Sequence, residues 1–200
     1  IALFVALDDG AGLALFTAHD RVVEFGKQYK IHVNLNFHRA PGYCINPPHG
    51  TTNLFEDEEP LKACEYQWRM FAERYKSYSS KYLSFNLINE APSIEDAKYE
   101  KVARRLIKAI RDVSPKRTII VDGLDVGNRP LMALTDVDNI IQSGRGYQPM
   151  LISHYEASWV YGNGPMYFPK NKLSWPLNEN GKIYDKEWLR QTLKHNWRFS

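Results

Sequence analysis

Short β-rich runs alternate with amphipathic helical stretches along this chain. From Glu58 to Tyr78, Leu61, Cys64, Trp68, Phe71 and Tyr75 recur at steps of three and four, which places them on one helical face. From Ile94 to Val113, Val102, Leu106, Ile110 and Val113 do the same, with Arg and Lys on the opposite side. Ala18–Tyr29 and Glu187–Trp197 read as further helices, and Arg129–Leu134 as a short one. Between them Ile31–Phe37, Tyr82–Ile88, Thr118–Val121 and Asn139–Gln142 read as strands. The opening run Ile1–Gly10 has the composition of another.

Strand and helix in alternation predict an α/β fold with a mostly parallel sheet and right-handed crossovers. An open doubly wound sheet and a (β/α)₈ barrel both fit that order. No G-x-G-x-x-G or P-loop follows any strand, which counts against a nucleotide-binding sheet. Four well-marked strands are half of what a closed barrel needs, so a barrel here is partial.

The polar residues fall where a barrel puts its site, at the C-terminal ends of the strands. The first marked strand ends in His38, the second in Asn89 and Glu90, and the third in Asp122 and Asp125; Arg145 and Tyr147 follow the fourth. Strand parity sharpens this. Ile31, Val33, Leu35 and Phe37 share one face, and His32, Asn34, Asn36 and His38 the other. In the next strand Phe85 and Leu87 oppose Ser84, Asn86, Ile88 and Glu90. Both strands therefore turn a polar-rich row to the same side, as expected of a lumen open to water. Taken singly, Glu90 also fits a solvated loop carboxylate or a capping acid near Pro92, and His38 an ordinary hydrogen-bonded histidine.

Composition narrows the partners. A net charge of +3, dispersed along the chain, gives no footprint for nucleic acid or an anionic membrane. No apolar run reaches transmembrane length, and the short opening segment lacks the basic leader and cleavage site of a signal peptide. Five Trp and twelve Tyr are many for 200 residues; they fit core packing or stacking on sugar faces. Cys44 and Cys64 set no framework, and either a disulfide or two buried thiols is compatible with their positions. No metal-ligand spacing, nucleophile elbow or C-x-x-C is present.

Four blocks, in order, resemble family 5 glycoside hydrolases. Phe85–Pro92, F-N-L-I-N-E-A-P, is similar to that family's strand-four signature, an apolar strand ending in Asn-Glu with Pro close behind. Ile31–Tyr43 resembles strand three, ending in His before a Pro-Gly turn, and Val121–Leu124 the end of strand five. Arg145–Trp159 resembles strand six; Tyr147, Pro149, His154, Ala157 and Trp159 agree, while Arg145 stands where the family has His. A second register, pairing His154 with Tyr155, agrees at fewer positions. The resemblance runs from about Asp20 to Trp159 and implies a partial (β/α)₈ barrel, strands three to six, within one incomplete catalytic domain over 1–200. Residues 1–17 are unmatched.

By that resemblance Glu90 is the general acid/base and Asn89 binds the sugar 2-hydroxyl. His38, Arg145, Tyr147, His154 and Trp159 contact substrate or orient the nucleophile, and Trp175 is a further sugar platform. The substrate is a β-linked polysaccharide or oligosaccharide, the reaction is retaining hydrolysis of cellulase or β-glucanase type, no cofactor or metal is needed, and the setting is extracellular. The family's nucleophile, a Gly-Glu at the end of strand seven, has no counterpart, and neither does its strand-two Arg. The chain by itself is therefore expected to have little or no activity and to self-associate through unpaired sheet edges. A non-catalytic carbohydrate-binding relic and a metal-dependent barrel hydrolase are the alternative readings.

Overall fold

The computed structural model describes residues 2–8, 13–161 and 173–197, with side chains from 18 to 160 and from 173 to 197. It forms two compact units, Ile1–Ser143 and Gly144–Ser200.

In the first unit the order is β1 (Ala2–Asp8), α1 (Leu13–Tyr29), β2 (His32–Arg39), α2 (Glu58–Arg74), β3 (Leu83–Asn86), α3 (Asp96–Arg111), β4 (Ile119–Asp122) and β5 (Ile140–Ser143). The five strands are all parallel and lie side by side in chain order. A doubly wound sheet reverses strand order at a switch point. An unbroken order is that of a (β/α)₈ barrel, so the opening run is a true strand and the arc has one strand more than the four well-marked runs.

The register bears out the parity reading. Asn34 pairs with Ser84 and Asn36 with Asn86, so the polar rows of β2 and β3 stand side by side. His32 Nε2 meets Ser84 Oγ at 2.8 Å, and Ser84 Oγ donates to Asn34 Oδ1 at 3.2 Å. The row is not wet, however. Asn34, Asn36, Ser84 and Asn86 are all at most 1% exposed, so this lumen is packed rather than open to water.

The opposite face meets α2. Phe37 and Trp68 ring centroids lie 4.9 Å apart, and Trp68 and Phe85 5.1 Å, so one indole bridges two strands. Burial of rings of this size contributes roughly 1.5–3 kcal/mol each. Gly26 lets α1 approach closely, since a Cβ there would sit 2.3 Å from Val33 Cγ2. On α3, Val102, Leu106 and Ile110 are buried, while Arg105 pairs outside the core with Glu58 and Glu65 of α2.

Arg117 closes the other end of the arc. Its guanidinium donates to the carbonyls of Leu83, Tyr75 and Tyr78, each at 2.8 Å, and lies 4.9 Å from the Phe85 ring centroid. Burial pushes its pKa down to about 10. These contacts accompany the end of α2 at Arg74, four residues before the expected Tyr78. The helix expected over Arg129–Leu134 is a single 3₁₀ turn at Met132–Leu134. There the Gln142 side chain bonds both backbone groups of Leu131, whose carbonyl also accepts the Leu134 amide within the turn. Cys44 and Cys64 are free and buried, which removes the disulfide option.

The second unit holds a short hairpin, β6 (Leu177–Glu179) with β7 (Lys182–Tyr184), followed by α4 (Lys186–Trp197). Among the described residues, no helix is long and apolar enough to cross a membrane.

Candidate active site

The C-terminal ends of β2, β3 and β4 gather His38, Asn89, Glu90 and Asp122 on one rim of the first unit. The Asn89 amide donates to the Phe37 carbonyl at 2.8 Å, which sets Asn89 beside the end of β2. At that point β2 slips one place relative to β1: Leu7 pairs with Phe37 and Asp8 with Arg39, and His38 is the extra residue between them. Such an irregularity re-aims side chains at a strand end. His38 is half-buried and Asn89 buried.

Glu90 has a left-handed backbone, φ 52°. For a residue with a Cβ this conformation costs on the order of 1 kcal/mol or more and persists only where neighbours impose it. Two side chains grip the backbone, one on each side of the Glu90 Cα. The Glu90 amide donates to Asp122 Oδ2 at 2.9 Å, and the Glu90 carbonyl accepts from the Tyr43 hydroxyl at 2.6 Å. Asp122 is fully buried; its other oxygen, Oδ1, accepts from Asn86 Nδ2 at 2.8 Å, and its backbone carbonyl accepts from Tyr99 at 3.0 Å.

Tyr43 owes its place to a tight turn. Ala40 and Tyr43 exchange backbone hydrogen bonds across Pro41-Gly42. Gly42 has φ 71°, and a Cβ there would meet Pro60 Cβ at 2.7 Å and Leu54 N at 2.8 Å. Burial, with the charges of Glu90 and Asp122 adding to it, pushes the Tyr43 phenol well above its ordinary value. It therefore stays protonated and keeps donating.

The segment beyond Glu90 is tied to the one beyond β4. Val126 donates its amide to the Ala91 carbonyl at 2.9 Å. Arg129 joins Asp125 at 2.6 Å and Asp96 at 2.7 Å. A cavity of about 530 Å³ opens beside Pro92 and Ile94, lined on its far side by Tyr43, His49, Thr52 and Phe55.

Of the residues singled out in sequence, the first unit thus brings together His38, Asn89 and Glu90. Arg145, Tyr147, His154 and Trp159 belong to the second unit. There the Tyr147 and His154 rings meet edge-on at 4.9 Å, and His154 Nδ1 lies 2.8 Å from Ser153 Oγ. Arg145 is half-buried. Trp159 and Trp175 are 69% and 48% exposed, so neither is a core residue. Trp175 lines a groove along α4 with Leu189, Leu193 and Arg190. Among the described residues no cluster of three His, Cys, Asp or Glu side chains could hold a metal ion. Tyr43 and the clamping role of Asp122 escaped the sequence reading, because both act on a backbone far away in the chain.

Comparison with known proteins gives the family. The family model for cellulase, glycosyl hydrolase family 5, matches residues 6–199. Endoglucanase C of Acetivibrio thermocellus is 30% identical over 195 residues, covering 88% of this chain and 56% of its own. Cellodextrinase A of Ruminococcus flavefaciens is 20% identical over 174 residues, covering 84% and 50%. A glycoside hydrolase crystal structure superposes with a TM-score of 0.83 at 35% identity, over 96% of this chain and 62% of that one. The endoglucanase Cel5A of Thermotoga maritima superposes at 0.64 with 22% identity, over 86% and 56%. The chain spans about half the length of the curated relatives it matches. It belongs to the cellulase family, glycosyl hydrolase family 5, and its five parallel strands are part of that family's (β/α)₈ barrel.

Proposed function

We propose that this chain supplies the acid/base half of a retaining site that hydrolyses β-1,4-linked glucan. The observation that carries the reading is the fixed placement of Glu90 at the end of β3, gripped at both its amide and its carbonyl, with Asn89 beside it. In the first step Glu90 gives its proton to the glycosidic oxygen as the bond from that oxygen to the anomeric carbon breaks. A second carboxylate, about 5–5.5 Å away, takes the anomeric carbon as an ester. In the second step Glu90 removes a proton from water, which displaces the ester and returns the acid form. Asn89 hydrogen-bonds the 2-hydroxyl, a contact that strengthens as charge builds on the ring. His38 shapes the same subsite.

Among the described residues Glu90 is the one glutamate at an end of the parallel sheet. On this reading the second carboxylate is the glutamate that the family carries at the end of strand seven, and the 200 residues alone turn over little or no substrate. An insoluble glucan cannot enter a cell, so the work is extracellular; activity confined to washed cell lysate, with none in medium or on the cell surface, would contradict that placement. The test of the main reading is Glu90→Gln in the protein as its gene encodes it, assayed on carboxymethylcellulose. Loss of about 10²–10⁴-fold in kcat is expected; unchanged hydrolysis would remove Glu90 from the chemistry.

The exposed Trp159 and Trp175 favour a second reading, glucan binding without turnover. Calorimetric binding of cellopentaose, with no hydrolysis by the gene-encoded protein, would replace the first reading by this one.

A further inference from the structure

We infer that Asp122 and Tyr43 are positioning residues for the acid/base, holding Glu90 in its left-handed conformation and so aiming its carboxyl at the glycosidic oxygen. The inference rests on the acid/base reading of Glu90. A left-handed glutamate persists where its surroundings impose it, and here the peptide units on both sides of its Cα are held. Asp122 suits the task because it is itself immobile. Its side chain is fully buried, its carboxylate oxygens accept from Asn86 and the Glu90 amide, and Tyr99 donates to its backbone carbonyl. Asn86, at the inward end of this chain of contacts, lies on β3 itself, so the clamp ties Glu90 to its own strand through the neighbouring one.

The clamp acts on the direction of one carboxyl, so its loss should appear only where a proton must be delivered. A glucose leaving group needs that proton; 2,4-dinitrophenolate leaves without it. We therefore compare kcat/KM for cellotetraose and for 2,4-dinitrophenyl β-cellobioside, in the protein as its gene encodes it. Asp122→Asn puts an amide donor against the Asn86 amide or the Glu90 N–H. It should lower kcat/KM for cellotetraose by roughly 10–100-fold, the range for misplacing a reacting group by about 1 Å, and change the aryl substrate by less than about threefold on the same ground. The double variant Asn86→Asp with Asp122→Asn reverses the pair while leaving an oxygen for the Glu90 amide, and should restore the ratio of the two rates. Tyr43→Phe, which removes only the hydroxyl, should show the same selective loss, weaker in size.

Equal losses on both substrates, or a ratio that the double variant does not restore, would reduce Asp122 to a packing role and overturn the inference. If Asp122→Asn does not fold, Tyr43→Phe decides by the same ratio. Independently of turnover, Asp122→Asn or Tyr43→Phe should speed Glu90 amide hydrogen exchange by roughly tenfold, the effect of one lost charge-assisted or buried hydrogen bond; unchanged exchange counts against the clamp. Glu90→Gln serves as the control. If it leaves the substrate ratio unaltered while the variants change Glu90 exchange, the acid/base reading has failed and the clamp has not.

Discussion

Trp68 of α2 donates its indole N–H to the carbonyl oxygen of Leu87 at 3.1 Å, inside the core and three residues before Glu90. The bond joins the main packing residue of the helix layer to the stretch where β3 stops pairing and turns into the rim. It gives the strand end a polar anchor among the Phe37, Phe71 and Phe85 rings.

Trp68→Phe keeps most of the ring burial and removes that donor. The Leu87 carbonyl is then buried and one bond short, a loss of about 1–3 kcal/mol. Trp68→Ala empties the site as well and should cost about 3–5 kcal/mol. Urea unfolding at neutral pH checks both. A Phe variant as stable as the parent would show that the hydrogen bond contributes nothing net.

Asp20 on α1 forms a two-pronged pair with Arg74 at the end of α2 and also accepts from the Tyr75 hydroxyl at 2.8 Å. The guanidinium holds its carboxyl below the ordinary value of 3.8. A carboxylate lowered in the folded state stabilises it above the unfolded pKa, and that contribution is lost as pH falls through the folded one. Stability should thus fall below about pH 4 more steeply in the parent than in Asp20→Asn. The pair is partly exposed, so the difference should be small. Parallel slopes in acid denaturation would remove Asp20 from the acid response.

Among the described residues β1 and β5 each pair on one side only. Ile141 on β5 is 53% exposed. An open edge with an apolar residue invites pairing with another copy. The 200-residue polypeptide, made alone, should sediment with a concentration-dependent mass, and Ile141→Lys should shift it toward monomer. A monomer at all concentrations would show that the edge is covered.

Much of this molecule is written in its sequence pattern. The alternation in His32–Phe37 and Ser84–Asn86 correctly places the polar rows of two strands on one side, because parity needs only local backbone geometry; beyond Asn86 the strand ends and parity no longer applies. The three-four spacing of Leu61 to Tyr75 likewise gives the buried face of α2. What pattern does not carry is contact between a side chain and a distant backbone. Asp122 reaches Glu90 across 32 positions and Tyr43 across 47, and neither is marked by spacing or composition. The Arg117 contacts at the end of α2 and the Gln142 contacts beside the 3₁₀ turn are unmarked for the same reason. The burial of the row is not legible either, because a polar row looks alike in sequence whether it is open to solvent or shut away.

The closed interior of the arc has a practical side. With Asn34, Asn36, Ser84 and Asn86 shut away, a glucan bound as the proposed function requires must lie across the strand tips. Attempts to retune which polysaccharide is accepted should therefore alter the connecting segments, such as the stretch from Tyr43 to Phe55, and leave the strand interiors as they are.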